Sequence, residues 1–256
     1  MTDIIPKTAL ITGAAKRIGR VIALDLAGQG YDIVLHCNQS RDAADQLAAD
    51  IRNMGRKAHV VSADLSREDE TAGIMDAAYG ALGPVGLLVN NASTFEYDDV
   101  KTATRESWDF HMEVNLRAPF VLSQAFARQL PGDVAGLIVN IIDQRVWNLT
   151  PHFTTYSLSK AGLWTLTQTL ALGLAPRIRV NGIGPGPVLP SVRQSQEDFD
   201  AQCRKTPLGI GTSPQQICDA IRFFLAAPAL TGQMLALDGG QHLNWAPSDS
   251  TEMPVE

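Results

Sequence analysis

The feature that most constrains this chain is an alternation. Short apolar runs recur about seven times, each followed by a longer segment with helical spacing: Lys7 to Ile11, Asp32 to His36, Ala58 to Ser62, Val85 to Asn90, Gly136 to Ile142, Arg177 to Gly182 and Gln233 to Leu237. Their shortness and their Val, Ile and Leu content predict strands buried on both faces of a parallel sheet. Between them apolar residues fall three and four apart, as in Val21, Leu24, Leu26 and in Ala43, Leu47, Ile51, which predicts crossover helices. Right-handed crossovers between parallel strands then lead to one fold class, an α/β doubly wound parallel sheet of about seven strands with helices on both faces.

A single Rossmann-type domain over 1–245 is expected, because no linker rich in Pro, Gly or Ser divides the chain and no fixed-period repeat runs through it. The polar stretch over 246–256 is expected to be a frayed tail. At 256 residues with 45% apolar content the chain can bury a full core without disulfide or metal staples. A net charge of −6, with no block of five like charges, disfavours a nucleic-acid partner. The three cysteines, Cys37, Cys203 and Cys218, lie too far apart for a redox or zinc pair. The five histidines show no ligand spacing, so no metal is expected. The N-terminus carries an acid where a signal peptide wants bases, and no apolar run is long enough to span a bilayer. A cytoplasmic protein with reduced thiols and no membrane partner is expected. The region from Gly182 to Ser213, rich in Pro and Gly and weak in periodicity, predicts a substrate loop over 187–213.

Directly after the first strand stands Thr12-Gly13-Ala14-Ala15-Lys16-Arg17-Ile18-Gly19. Glycines at a strand-to-helix turn let backbone N–H groups approach a pyrophosphate, and the helix N-terminus adds partial positive charge. Two glycines alone would equally suit an ordinary turn, and the position after the first strand favours the phosphate reading. The second strand ends in Cys37-Asn38-Gln39-Ser40-Arg41, with no carboxylate before Asp42. An acid there would select NAD through the ribose 2′-hydroxyl. Its absence, with donors at Asn38, Ser40, Arg41 and Arg17, predicts a preference for NADPH. Gln39 stands where an arginine would close the clamp, and Arg41 could equally be a solvated side chain.

Tyr156-Ser157-Leu158-Ser159-Lys160 opens a helical segment and places a phenol and an ammonium on one face. A free phenol ionises near pH ~10, and a cation within ~4 to 6 Å favours the phenolate, so the pair makes a tunable general acid. Further polar residues fall at strand ends, where ligands bind in open α/β sheets: Asn91, Ala92 and Ser93 after the fourth strand, and Asp143 after the fifth. Asn115 lies in the apolar helix between those strands, where it suits a kink-stabilising role as well as a proton-relay role. Trp147 and His152, between Asp143 and Tyr156, are expected at the pocket edge or in packing.

These motifs, in order, resemble the short-chain dehydrogenase/reductase family from Lys7 to about Gly240: Thr12-Gly13, Asn90-Asn91-Ala92, Asn115, Tyr156 with Lys160, Arg179-Val180-Asn181 leading to Pro185-Gly186, and Asp238-Gly239-Gly240. The resemblance implies an NAD(P)-dependent oxidoreductase, usually a homotetramer or homodimer. In it Tyr156 transfers the proton, Lys160 tunes it and holds the nicotinamide ribose, and Asn115 supports a water relay. It also implies that Gly13, Arg17, Ile18, Gly19, Asn38, Ser40, Asp64, Asn91, Ala92, Pro185 and Gly186 contact the cofactor.

Two departures narrow the resemblance. Arg17 occupies the place of a usual glycine, and Asp143 that of the usual serine. With Asn91-Ala92-Ser93-Thr94-Phe95 they look like the pteridine reductases and dihydromonapterin reductases. That implies a flat pterin between nicotinamide and Phe95, with Arg17, Ser93, Asp143 and Tyr156 at the substrate. A carboxyl group beside a phenol suits the chemistry, since reducing a ring C=N bond leaves a nitrogen that must be protonated. Asp143, Tyr156 and Lys160 would titrate as one unit. The expected activity is NADPH-dependent reduction of a dihydropterin or dihydrofolate. The alternatives are a carbonyl reductase or alcohol dehydrogenase, and a nucleotide-binding regulator without turnover. Phe95 could also be core packing, and Asp143 a structural replacement.

Overall fold

Side chains of each strand alternate between two dry faces. In β1 (Thr8–Ile11), Ala9 and Ile11 enter one core cluster and Leu10 the other, all three fully buried. β2 (Asp32–Cys37) repeats the pattern, with Ile33 and Leu35 on the first face and Val34 on the second. Burial on both sides is why these strands read as continuous apolar runs. The computed structural model describes residues 5–191 and 194–243, so the tail expected over 246–256 lies outside the described residues.

The other strands are β3 (Ala58–Ser62), β4 (Leu87–Asn90), β5 (Gly136–Ile141), β6 (Ile178–Pro185) and β7 (Met234–Leu237). Among the described residues they form one seven-stranded parallel sheet in the order β3-β2-β1-β4-β5-β6-β7. The order reverses direction between β1 and β4, which opens a crevice above their C-terminal ends.

One face is covered by α1 (Arg17–Gly28), α2 (Arg41–Asn53) and α8 (Pro214–Ala226), through Ile22, Leu26, Leu47, Ile51, Ile221 and Phe224. The other is covered by α3 (Glu68–Leu82), α5 (Ala118–Gln129) and α6 (Thr154–Leu174), through Ile74, Leu122, Phe126 and Leu170. The buried set of α2 (Ala44, Leu47, Ala48, Ile51) has the spacing of a single helical stripe. No helix of the described residues is long and apolar enough to cross a membrane.

Three expectations need correction. The sixth strand, expected to end at Gly182, runs on as β6 to Pro185 through its ladder with β7, from Gly182 opposite Met234 to Pro185 opposite Leu237. Within that region Gln196–Arg204 forms a helix, α7. Its capping box is local: Ser195 Oγ accepts from the Asp198 amide at 3.1 Å, and the Asp198 carboxylate accepts from the Ser195 amide at 3.3 Å. Asn115 sits not in regular α-helix but in a π-helical turn, Glu113–Arg117, between α4 (Arg105–Met112) and α5. Such turns insert one wide loop of backbone and displace the side chains they carry.

Candidate active site

The glycine turn is built by close approach. Gly13 has left-handed backbone (φ 63°), and a Cβ on Gly19 would stand 2.2 Å from the Gly13 carbonyl oxygen, so α1 can seat on the turn only without one. Thr12 Oγ1 accepts from the amides of Asn91 and Ala92, both at 2.9 Å. The Asn91 side-chain amide donates to Thr12 O at 2.8 Å and Gly13 O at 3.3 Å. Asn91 and Ala92 therefore brace the turn from the end of β4. His36, which sequence reasoning passed over, braces it from β2: Nδ1 accepts from the Gly13 amide at 3.2 Å, so Nε2 carries the proton and donates to Ala63 O at 3.1 Å. Burial lowers its pKa and keeps the ring neutral.

On the other side of the crevice, Tyr156 Oη donates to Asp143 Oδ2 at 2.8 Å. The second carboxylate oxygen, Oδ1, accepts from the Arg145 amide at 2.8 Å as the cap of the short 3₁₀ turn Gln144–Val146, which fixes the carboxylate's orientation. Lys160 Nζ is buried one helical turn beyond Tyr156, donates to Ile141 O at 2.9 Å and lies 5.8 Å from the Tyr156 ring centre. Burial pushes its pKa from 10.5 down to about 8, with Asp143 opposing the shift. The four-residue spacing thus delivers the phenol and the ammonium to a single corner, and the turn after β5 brings the carboxylate to them.

Asn115 joins two walls of the site. Its Oδ1 accepts from the Thr94 amide at 2.9 Å and Ser93 Oγ at 3.1 Å, and its Nδ2 donates to Thr94 O at 3.0 Å and Ser159 Oγ at 3.1 Å. The side chain is fully buried and ties the loop after β4 to α6.

A cavity of about 300 Å³ is lined by Arg17, Ile18, Asn91, Ser93, Phe95, Asp143, Tyr156, Lys160, Pro185 and Gly186 from the expected set. Gly13, Gly19, Ala92, Asn38, Ser40, Asp64 and Asn115 stand outside that lining. Trp147 and His152 do not edge it either: Trp147 meets Trp164 and His242, and His152 Nδ1 pairs with the Tyr97 hydroxyl at 3.2 Å. Phe95 is stacked on Phe153, with ring centres 4.4 Å apart and planes 13° apart, and meets Tyr156 at 75°. The Arg145 guanidinium lies 5.1 Å from the Phe153 ring centre and 5.9 Å from that of Phe95. Phe95 is therefore both packing residue and cavity wall.

Sequence reasoning missed Gln144, Arg145 and Gln241, which also line the cavity, and covered Phe199 and Gln202 only as unnamed members of the 187–213 substrate loop. The adjacency of the first two to Asp143 was a usable signal. The capping box of α7 was another.

Arg17 has left-handed backbone (φ 51°), which accounts for the glycine usual at this position. Its guanidinium donates to Pro190 O at 3.0 Å and Leu189 O at 3.3 Å, linking the glycine turn to the substrate loop. No side chain caps α1 among the described residues and no acid stands in its first turn, so its amides and partial positive charge suit a diphosphate. At the end of β2, Asn38 is exposed and the Ser40 side chain makes no cap bond to α2, while Arg41 is engaged with Asp45 at 2.9 Å. Asp64 Oδ1 accepts from both the amide and the hydroxyl of Ser66. The donor set fits a dinucleotide lying from the end of β2, across the glycine turn, to Lys160.

The model of the short chain dehydrogenase family matches residues 7–201. The chain is similar to FolM alternative dihydrofolate reductase 1 of Brucella suis, solved in complex with NADP, at 47% identity over 97% of this chain and 99% of that one, with a TM-score of 0.91. The corresponding protein of Brucella canis, also solved with NADP, gives 46% identity over 96% and 98%, with a TM-score of 0.90. Among curated proteins, a 3-oxoacyl-[acyl-carrier-protein] reductase of Synechocystis is 30% identical over 94% of this chain and 98% of its own length. With the parallel sheet, the glycine turn and the Tyr156–Lys160 corner all in place, the chain belongs to the short chain dehydrogenase family.

Proposed function

We propose that this protein is an NADPH-dependent reductase that takes a pterin-type substrate, a dihydropterin or dihydrofolate, to its tetrahydro form. The observation that carries the reading is the 2.8 Å hydrogen bond from Tyr156 Oη to Asp143 Oδ2 at the cavity wall. When bound, the reduced nicotinamide supplies the hydride. Tyr156 gives the proton to the ring nitrogen that the reduction leaves basic, Asp143 holds the phenol on line, and the phenolate left behind takes a proton from solvent water before the next turnover. Lys160 places a cation beside the phenol and toward the nicotinamide ribose. Gly13, Arg17, Ile18, Gly19, Asn38, Ser40, Asp64, Asn91, Ala92, Pro185 and Gly186 would hold the cofactor. Arg17, Ser93 and Phe95, which line the same cavity as Asp143 and Tyr156, would meet the flat substrate.

The Brucella neighbours, alternative dihydrofolate reductases solved with NADP, support both substrate class and cofactor. A second reading, carbonyl reduction, is favoured by the Synechocystis relative. Purified protein should consume NADPH with dihydrobiopterin, dihydromonapterin or dihydrofolate. No consumption with any of them, beside turnover of an acetoacetyl thioester, would decide for the carbonyl. Equal use of NADH would remove the NADPH preference. A cytoplasmic homotetramer or homodimer is what the family resemblance implies, and sedimentation would measure the assembly.

A further inference from the structure

α6 begins without a side-chain cap of its own, and the residue before it, Phe153, is left-handed (φ 57°, ψ 48°). The first amides of the helix are met instead from a distant loop. The buried residue Asp98 accepts from the Phe153 amide at 2.6 Å and the Thr154 amide at 3.4 Å with its backbone oxygen. Its Oδ1 accepts from the Thr155 amide at 3.1 Å, and its Oδ2 accepts from the Ser107 hydroxyl at 3.1 Å. Oδ2 also takes a short hydrogen bond from Thr155 Oγ1.

That last contact starts a buried chain whose direction is forced. Thr155 Oγ1 gives its one proton to Asp98, so toward His111 it can only accept, and His111 Nδ1 donates at 2.7 Å. The other ring nitrogen, Nε2, accepts from the Glu96 amide at 3.1 Å. An amide at one end only donates and a carboxylate at the other only accepts, so every bond in between has a single sense. The chain begins on the amide next to Phe95, passes through Thr155, the residue before Tyr156, and ends on Asp98, and the His111 ring meets the Tyr156 ring at 73° with centres 6.0 Å apart.

We propose that Asp98, Thr155 and His111 are positioning residues that register Tyr156 against the loop carrying Ser93 and Phe95. The inference rests on Tyr156 being the proton donor and is indifferent to whether a pterin or a carbonyl is reduced. It explains why a carboxylate, a hydroxyl and an imidazole are buried together away from the reacting groups: each fixes a donor or acceptor that an apolar contact would leave free to slide.

Two measurements test it. Thr155→Val removes the hydroxyl at nearly constant shape and Thr155→Ser keeps it. Assayed with NADPH and whichever of dihydrobiopterin or an acetoacetyl thioester the wild type reduces, Thr155→Val should lower kcat about 10- to 100-fold with the KM for NADPH within about twofold, since a displacement near 1 Å is sufficient for such losses. Thr155→Ser should stay within about threefold of wild type. A Thr155→Val protein that melts lower but turns over normally would overturn the proposal. The second measurement needs no substrate: ¹⁵N spectra of the histidine-labelled wild type, with the His111 signals assigned by their loss in a folded His111→Asn protein. The ring should be neutral with the proton on Nδ1. A proton on Nε2 overturns the proposal, whereas failure to reduce any pterin, with the Nδ1 tautomer present, strikes the substrate reading alone.

Discussion

Among the described residues two that are not glycine carry left-handed backbone, Arg17 (φ 51°), which lines the cavity, and Phe153 (φ 57°), which is stacked behind the cavity-lining Phe95. Phe153 is 1% exposed, stacked on Phe95, covered by the Arg145 guanidinium and bonded through its amide to Asp98. Arg17 is exposed and is tied down by its own side chain, which reaches the carbonyls of Leu189 and Pro190. Strain locked into a core gives a fixed geometry, and the phenol three residues on is the group that needs one. Strain held by a solvent-facing side chain on a loop can be released and remade, which suits the side where ligands enter.

The sharpest way to break this contrast is at Phe153. Phe153→Ala should cost about 3–5 kcal/mol in urea unfolding, the loss of a buried aromatic side chain with its cavity. Phe153→Gly should be about 1 kcal/mol more stable than Phe153→Ala, the reverse of the usual order, because only glycine adopts this backbone freely. If alanine ranks above glycine here, the backbone is not strained in solution and the contrast fails.

Next in size is the charge stored at the same corner. Burial holds the Lys160 ammonium down to about 8 against 10.5 for the free group. Between those values the unfolded chain keeps a proton that the folded chain has lost, so stability rises with pH across that window, by about 3 kcal/mol in all. Below pH 8 the strain of the buried cation is fully present. Lys160→Met should therefore abolish this part of the rise and stabilise the protein at pH 7, while removing turnover. A pH–stability curve unchanged by the substitution would mean that the ammonium is solvated.

The two corners were not equally legible in the sequence. The sheet was, because burial on both faces leaves an unbroken apolar signature, and the Tyr156–Lys160 pair was, because helical spacing converts directly into a shared face. Asp143 could be placed at a strand end, yet its hydrogen bond to Tyr156 depends on the turn that follows β5. The left-handed state of Phe153 left no trace, since nothing about a phenylalanine announces it and its cause, Asp98, lies 57 residues before Thr155. α7 went unread because its capping box was submerged in a segment whose prolines and glycines spoke for a loop. Local spacing is written in sequence, and contacts made across the crevice are not.

Asp143 gives the third test, smaller than the first two and directed at chemistry rather than stability. Asp143→Ser keeps a hydrogen-bonding partner for Tyr156 and removes the carboxyl group. Reduction of a dihydropterin should fall about a hundredfold, the low end of what a positioned acid contributes. Reduction of an acetoacetyl thioester should persist or improve, because a neutral carbonyl asks only for a hydroxyl. Equal losses on both would make Asp143 a structural part of the Phe153 corner and nothing more.

The smallest effect is expected at Arg17, and there the contrast becomes quantitative. Arg17→Gly relieves left-handed backbone worth about 1–2 kcal/mol. It also loses two exposed hydrogen bonds of about 0.5–1.5 kcal/mol each, and adds chain entropy in the unfolded state. These terms nearly cancel, so stability should move by no more than about 1 kcal/mol, far less than at Phe153. What is lost is a cation at the α1 N-terminus and the fastening of the 187–213 loop, so KM for NADPH and for the pterin should rise about tenfold, equivalent to about 1.4 kcal/mol of binding, with kcat kept within about twofold. The split between KM and kcat is the decisive quantity. If Arg17→Gly lowered kcat as deeply as it raised KM, the exposed corner would be setting the geometry of the acid as well, and rigid and adjustable strain would not be divided between the core behind Phe95 and the exposed Arg17 corner.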